Sequence, residues 1–267
     1  MNQTSPRKLV LAAALTVLAL STAAGHVPAV GQTADTAAAV DPAALTALTR
    51  MAAYLQTLVV FQVEVATERE DVLDNGLKVQ FDGLTSLLVR KPDRVRADVS
   101  RDRQDRLYFY DGKQFTLWAR RLNLYATAPA PPTVGELVNV IEERYGIEFP
   151  LVDLFRWGTA GASSADITDA VDLGPSDVGG TNCRHYALRQ AGLDWQIWIQ
   201  QGDFPLPRKL VLTTTTDEAR PQFQATYAWN LAPSFNDADF AFDPPTGAQR
   251  ISFDEVSPDA GADKKGN

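Results

Sequence analysis

An alternation of apolar and polar residues runs through most of this chain and limits it to sheet-rich folds. It is sharpest where Leu193, Trp195, Ile197 and Ile199 are interleaved with Asp194 and Gln196. A period of two buries one face of a strand. Gln201-Gly202-Asp203 supplies a turn, Pro205 and Pro207 limit pairing, and Arg208 to Thr215 runs extended again. The hairpin carries two indoles, which require a thick apolar layer or a ligand to cover them.

The same period appears earlier. Phe61, Val63 and Val65 alternate with Gln62 and Glu64, and Asn75-Gly76 then marks a hairpin turn. Leu77, Val79 and Phe81 follow, then Val95, Ala97 and Val99, Leu107 to Tyr110, Gln114 to Ala119 after Asp111-Gly112, and Leu122 to Thr127. That gives about six consecutive strands joined as an antiparallel meander. Strands resume near Ala170, from Asn182 to Arg189, in the Trp195 hairpin and along Phe223, Ala225, Tyr227 and Trp229, with Phe240 and Phe242 expected to end the last one.

Three segments change the period to that of a helix. Asp41-Pro42 caps a stripe of Leu45, Leu48, Ala52, Leu55 and Val59, which predicts a helix over 42–57. Thr133-Val134-Gly135-Glu136 is a capping box ahead of Leu137, Val138, Ile141 and Tyr145, with Gly146 as C-cap. A short helix near 150–157 carries Leu151, Leu154, Phe155 and Trp157. The fold expected is α+β: a curved antiparallel half-barrel of about eleven strands wrapping three helices, its convex face meeting water.

Arg7-Lys8, the apolar run Leu9 to Leu20 and Ser21-Thr22-Ala23-Ala24 have the form of a signal peptide over residues 1–24. An N-terminal anchor is the alternative, and cleavage after Gly31 is a second option. A linker over 25–40, one domain over 41–253 and a polar tail over 254–267 are expected to follow. Losing Arg7 and Lys8 with the leader would take the net charge from −8 to −10. So acidic an exported chain is a poor candidate for nucleic-acid binding. Cys183 is the single cysteine, so no internal disulfide can form.

In order along residues 41–253, several short motifs resemble those of the periplasmic lipoprotein carriers, the LolA-like fold. They are Leu88-Val89-Arg90-Lys91-Pro92-Asp93, Tyr108-Phe109-Tyr110-Asp111-Gly112-Lys113, Trp198-Ile199 with Leu206-Pro207-Arg208-Lys209-Leu210, and Phe240-Ala241-Phe242-Asp243-Pro244-Pro245-Thr246-Gly247. The chain is still more similar to an exported family defined as a predicted periplasmic domain of unknown function. The resemblance implies a half-open barrel that holds acyl chains beneath a helical lid, here the helices over 134–145 and 150–157, with Gly158 to Ser164 as the loop that bends. In the carriers an Arg before the Pro helps hold the lid closed. Lys91 stands at that position and lacks the guanidinium fork.

The chemistry-bearing residues are sparse. Cys183 and His185 share a strand face. They read either as half a metal site without further ligands, or as a buried thiol beside a neutral strand histidine. No nucleophile elbow, metalloprotease helix or phosphate loop occurs. A binding protein without catalysis, metal or cofactor is therefore expected. The aromatic and apolar residues placed on the inner face are its candidate cavity lining: Phe61, Phe81, Phe109, Phe115, Leu137, Ile141, Phe155, Trp195, Ile197 and Tyr227. They are equally the ingredients of a plain core. The partner expected is a lipid, an acyl chain or a lipidated protein. The alternative is an envelope interaction or sensor module that docks a protein through the charged 90–106 hairpin, whose alternating signs otherwise suit a solvated surface.

Overall fold

Twelve strands hydrogen-bond into one open sheet in a computed structural model of the protein, which describes residues 40–102, 104–157 and 164–255. The expected leader and the tail beyond Glu255 lie outside the described residues. So do all of the linker before Val40 and positions 158–163 of the expected bending loop. Strands β1 (Val60–Val72), β2 (Lys78–Arg90), β3 (Arg94–Arg101), β4 (Gln104–Tyr110), β5 (Gln114–Ala119) and β6 (Leu124–Pro129) form the first meander. Strands β7 (Ile167–Val178), β8 (Thr181–Gln190), β9 (Leu193–Gln200), β10 (Pro207–Thr214) and β11 (Gln222–Asn230) form the second, and β12 is Gln249–Ile251. The two meanders join where β1 pairs with β11, giving the order β12-β6-β5-β4-β3-β2-β1-β11-β10-β9-β8-β7. Every pairing is antiparallel except that of β12 with β6.

The turns follow from their chemistry. At the β4–β5 hairpin Asp111 Oδ1 accepts from the backbone N–H groups of Lys113 at 2.9 Å and Gln114 at 2.8 Å. Gly112 there has φ +84°, and a Cβ would collide with the Arg94 guanidinium. Only glycine fits.

Helices α1 (Pro42–Thr57), α2 (Val134–Tyr145) and α3 (Asp153–Arg156) interrupt the sheet order as expected. The Asp41 side chain accepts from Ala43 N at 2.8 Å and caps α1. Thr133 Oγ1 accepts from Glu136 N at 3.2 Å, and Gly146 closes α2 in the left-handed region. The apolar faces of all three helices enter one core cluster with Val63, Val65, Leu87, Val89, Val95 and Ile197. The sheet thus curls as a half-barrel around them.

Two expectations need correction. The outer face does not simply meet water: the segment after β11 crosses it as a strap. Phe240 and Phe242 do not end a strand. Phe240 closes a 3-10 turn, Asp237–Phe240, capped reciprocally by Asn236 and Asp239. Prolines at 233, 244 and 245 flank it and withhold the N–H groups a ladder needs. Phe240 is fully buried, with the Arg90 guanidinium 5.5 Å from its ring and Arg90 Nη1 2.7 Å from Asp237.

Candidate functional site

The inner face is graded from end to end. Beneath the helices it is closed: Leu137 and Ile197 are fully buried, Phe115 and Ile141 1 % exposed, Phe61 3 % exposed. Phe155 and Tyr227 belong to the same cluster. Seven of the ten expected lining residues therefore meet in one contiguous apolar mass. Burial pushes the Tyr227 phenol well up, with the Asp153 carboxylate adding to the effect. Asp153, at the start of α3, reaches solvent but is hemmed in on most sides, and this raises its carboxyl against the pull of Arg156.

Beyond the helices the same face stays open. One row of paired positions runs across five strands: Phe81, Arg69, Phe223, Leu212 and Trp195. Phe81, Phe223, Leu212 and Trp195 are half-buried there. Trp195 packs against the core cluster, whereas Phe81 lies outside it. Trp195 Nε1 is shielded from solvent with no acceptor among the described residues. A donor left so costs about 1–3 kcal/mol.

Phe109 is a correction. It lies on the outer face, against Phe242 at 5.3 Å and under Arg96, while Tyr108 and Tyr110 take the inner positions. The reason is that Leu107, Tyr108, Phe109 and Tyr110 are all apolar and all buried. The strap covers one side and the helices the other, so no alternation remained from which to read the phase.

Lys91 occupies a junction. Its Nζ donates to Leu55 O at 3.2 Å near the C-terminal end of α1, and burial pulls its pKa down. The adjoining Pro92 carbonyl accepts from Val134 N at 2.8 Å, the first residue of α2. The helices are also tied together: Gln56 Nε2 donates to Trp157 O at 2.5 Å, and Arg156 pairs with Glu142. Toward the sheet, Arg50 donates to Gly202 O at 2.7 Å, and Tyr54 meets Phe204 edge-on at 6.0 Å.

Other charged groups are engaged locally. In the 90–106 hairpin Arg90 pairs with Asp237, Arg94 with Asp93, and Asp98 and Asp105 with Arg120. His185 stacks on Trp198 at 3.9 Å and its Nε2 lies 3.0 Å from Gln196 Oε1. Cys183 is buried, which raises its thiol. Among the described residues no three His, Cys, Asp or Glu side chains gather as a metal site. No described helix is long and apolar enough to cross a membrane.

A separate concavity of about 280 Å³ opens on the outer face between β4–β6 and the strap. Sequence reading missed it, because its far wall is the strap that was taken for a strand.

Residues 44–254 match a family model described as a predicted periplasmic protein, DUF2092. No curated protein matches the sequence. Among solved structures, an uncharacterized conserved protein from Thermus thermophilus is similar at 11 % identity and TM-score 0.46, covering 79 % of this chain and 99 % of that one. LprF from Mycobacterium bovis is similar at 13 % identity and TM-score 0.42, covering 73 % and 96 %. A LolA superfamily protein from Nitrosomonas europaea is similar at 10 % identity and TM-score 0.32, covering 74 % and 97 %.

Proposed function

The chain belongs to the DUF2092 family of predicted periplasmic proteins, and from that premise we propose that it is exported by a cleaved leader and binds an acyl chain between its sheet and helices. One observation carries the reading: the row leaves four large apolar side chains, Phe81, Phe223, Leu212 and Trp195, half-exposed at the open end of a face otherwise sealed by helices, with Arg69 the one charged member, between Phe81 and Phe223. An acyl chain laid along that row would cover them. It gains about 0.8 kcal/mol per methylene buried, so a dozen methylenes supply on the order of 10 kcal/mol before any cost.

Entry to the deeper face requires the helices to shift, because Phe61, Phe115, Leu137, Ile141 and Ile197 already fill it. Lys91 is the proposed latch, through its bond to Leu55 O. Phe155 and Tyr227 would line the deeper part once α3 moves. The activity is binding without turnover: His185 is held by Trp198 and Gln196, and Cys183 is buried with a raised thiol.

Native mass spectrometry tests the reading on protein purified from its own host and then incubated with palmitate. Retained lipid mass, or gain of one palmitate that weakens in Trp195→Ser with Phe223→Ser, is expected. A bare polypeptide mass before and after incubation would overturn it.

A further inference from the structure

The outer-face concavity has a chemistry unlike that of the inner hollow. Its walls include the rings of Phe109, Tyr125 and Phe242, with Tyr125 and Phe242 5.0 Å apart. Polar groups from β5, the β4–β5 turn and β12 ring the opening. Among the described residues the Arg250 guanidinium makes no hydrogen bond or ion pair, and neither do the Gln114 side-chain amide or the Tyr125 hydroxyl. Thr116 and Thr127 share one hydrogen bond at 2.9 Å, which leaves one hydroxyl proton between them for a ligand. Asp111 Oδ1 already accepts two backbone N–H groups, so Oδ2 is its remaining acceptor.

The side-chain donors and acceptors that the protein leaves to solvent narrow the ligand class. Arg250 offers donors only, Asp111 an acceptor only, and Gln114 and Tyr125 offer both. One positive and one negative group balance, so neither an anion nor a cation is favoured by charge alone. A zwitterion would use only the Asp111 Oδ2 acceptor and the Arg250 guanidinium, leaving the Gln114 side-chain amide, the Tyr125 hydroxyl and the Thr116–Thr127 pair without a ligand partner. A neutral ring bearing several hydroxyls fits better. Each hydroxyl donates and accepts, and the ring's C–H face lies flat on an aromatic wall. At about 280 Å³ the space is at the low end for small-molecule sites. That suits one sugar ring rather than an oligomer.

We propose that this concavity binds a neutral pyranose unit, held between the strap and the sheet edge, with Arg250 and Gln114 as its hydrogen-bonding rim. The site lies on the face opposite the acyl-chain row and does not depend on it. β12 brings Arg250 here only because the strap crosses the outer face and returns beside β6. The irregular tail of the domain thus builds the site.

Ligand-observed saturation-transfer NMR tests the proposal, with glucose, galactose and N-acetylglucosamine titrated separately in the millimolar range. Transfer to ring protons of at least one sugar is expected, with affinity falling about tenfold in Arg250→Gln and in Gln114→Ala, roughly 1.4 kcal/mol each. Both side chains are exposed, so both variants fold, and palmitate uptake stays at the wild-type level in each. No transfer from any of the three sugars overturns the proposal, as does transfer that neither variant weakens. Tighter binding of free alanine than of every sugar also overturns it, in favour of a zwitterion site.

Discussion

Asp194 shows how a polar position of the most regular hairpin is stabilised. Its Oδ1 lies 2.6 Å from Arg189 Nε and its Oδ2 2.8 Å from Arg220 Nη2. The Arg189 hydrogen bond above all, with Arg220 second among the favourable partners, holds the carboxyl at about 2. Because this folded value lies below that of the unfolded chain, the stabilisation is complete above the ordinary carboxylate range and is lost as pH falls toward about 2. Both arginine partners are more than half exposed, so the worth is that of a surface pair, about 1 kcal/mol or less. Asp194→Asn should therefore lower the urea midpoint slightly at pH 7, and the gap to wild type should narrow between pH 4 and pH 2. A gap that widens on acidification would contradict this assignment. Single residues were legible where one neighbour face was polar: Ile197, Tyr227 and Trp195 fall on the inner face because Gln196, Thr226 and Asp194 mark the other. Phe109 was illegible because both of its flanking tyrosines are buried too.

Elements that carry their own boundary chemistry were readable to the residue. α1 runs over 42–57 behind the Asp41 cap, and α2 ends at a left-handed Gly146. The strap was not readable. Phe240, Ala241 and Phe242 alternate as a strand would, but the Asn236–Asp239 cap sets the turn that Phe240 closes, and its packing under Arg90 and beside Phe235 holds that turn on the sheet. The cap at Asn236 is a local signal that the alternation of Phe240 and Phe242 outweighed, whereas the contact with Arg90 is long-range and nothing nearby in the sequence encodes it. If Phe240 anchors the strap, Phe240→Ala should cost about 3–5 kcal/mol, as loss of a buried phenylalanine does. Amide exchange should rise first across 231–248, with the sheet protected until global unfolding. A loss below about 0.5 kcal/mol, within the range of ordinary surface changes, would mean that the strap rests on the sheet without being held by this ring.

For the whole molecule, magnitudes decide how a guest could enter. Met51, Leu55, Val134, Leu137, Val138, Ile141, Leu154 and Phe155 are the larger side chains that the helices bury. Exposing one such side chain costs about 1.5–3 kcal/mol, so lifting all eight into water would cost roughly 12–24 kcal/mol. A dozen methylenes return on the order of 10 kcal/mol. The helices therefore cannot leave the sheet for an acyl chain. They must swing as a tied group and lay the same apolar faces on the guest. The Gln56–Trp157 and Arg156–Glu142 contacts hold them as such a group, and the Tyr54–Phe204 contact fastens that group to the β9–β10 turn. Fixing this contact should block uptake without disturbing the fold. In a Cys183→Ser background, Tyr54→Cys and Phe204→Cys joined by a short bismaleimide should lose palmitate binding, while the same variant left unjoined keeps it. Both forms should share one circular-dichroism spectrum. If the joined protein still takes up palmitate, the acyl chain lies only along the exposed row from Phe81 to Trp195, and no swing of the helices is needed.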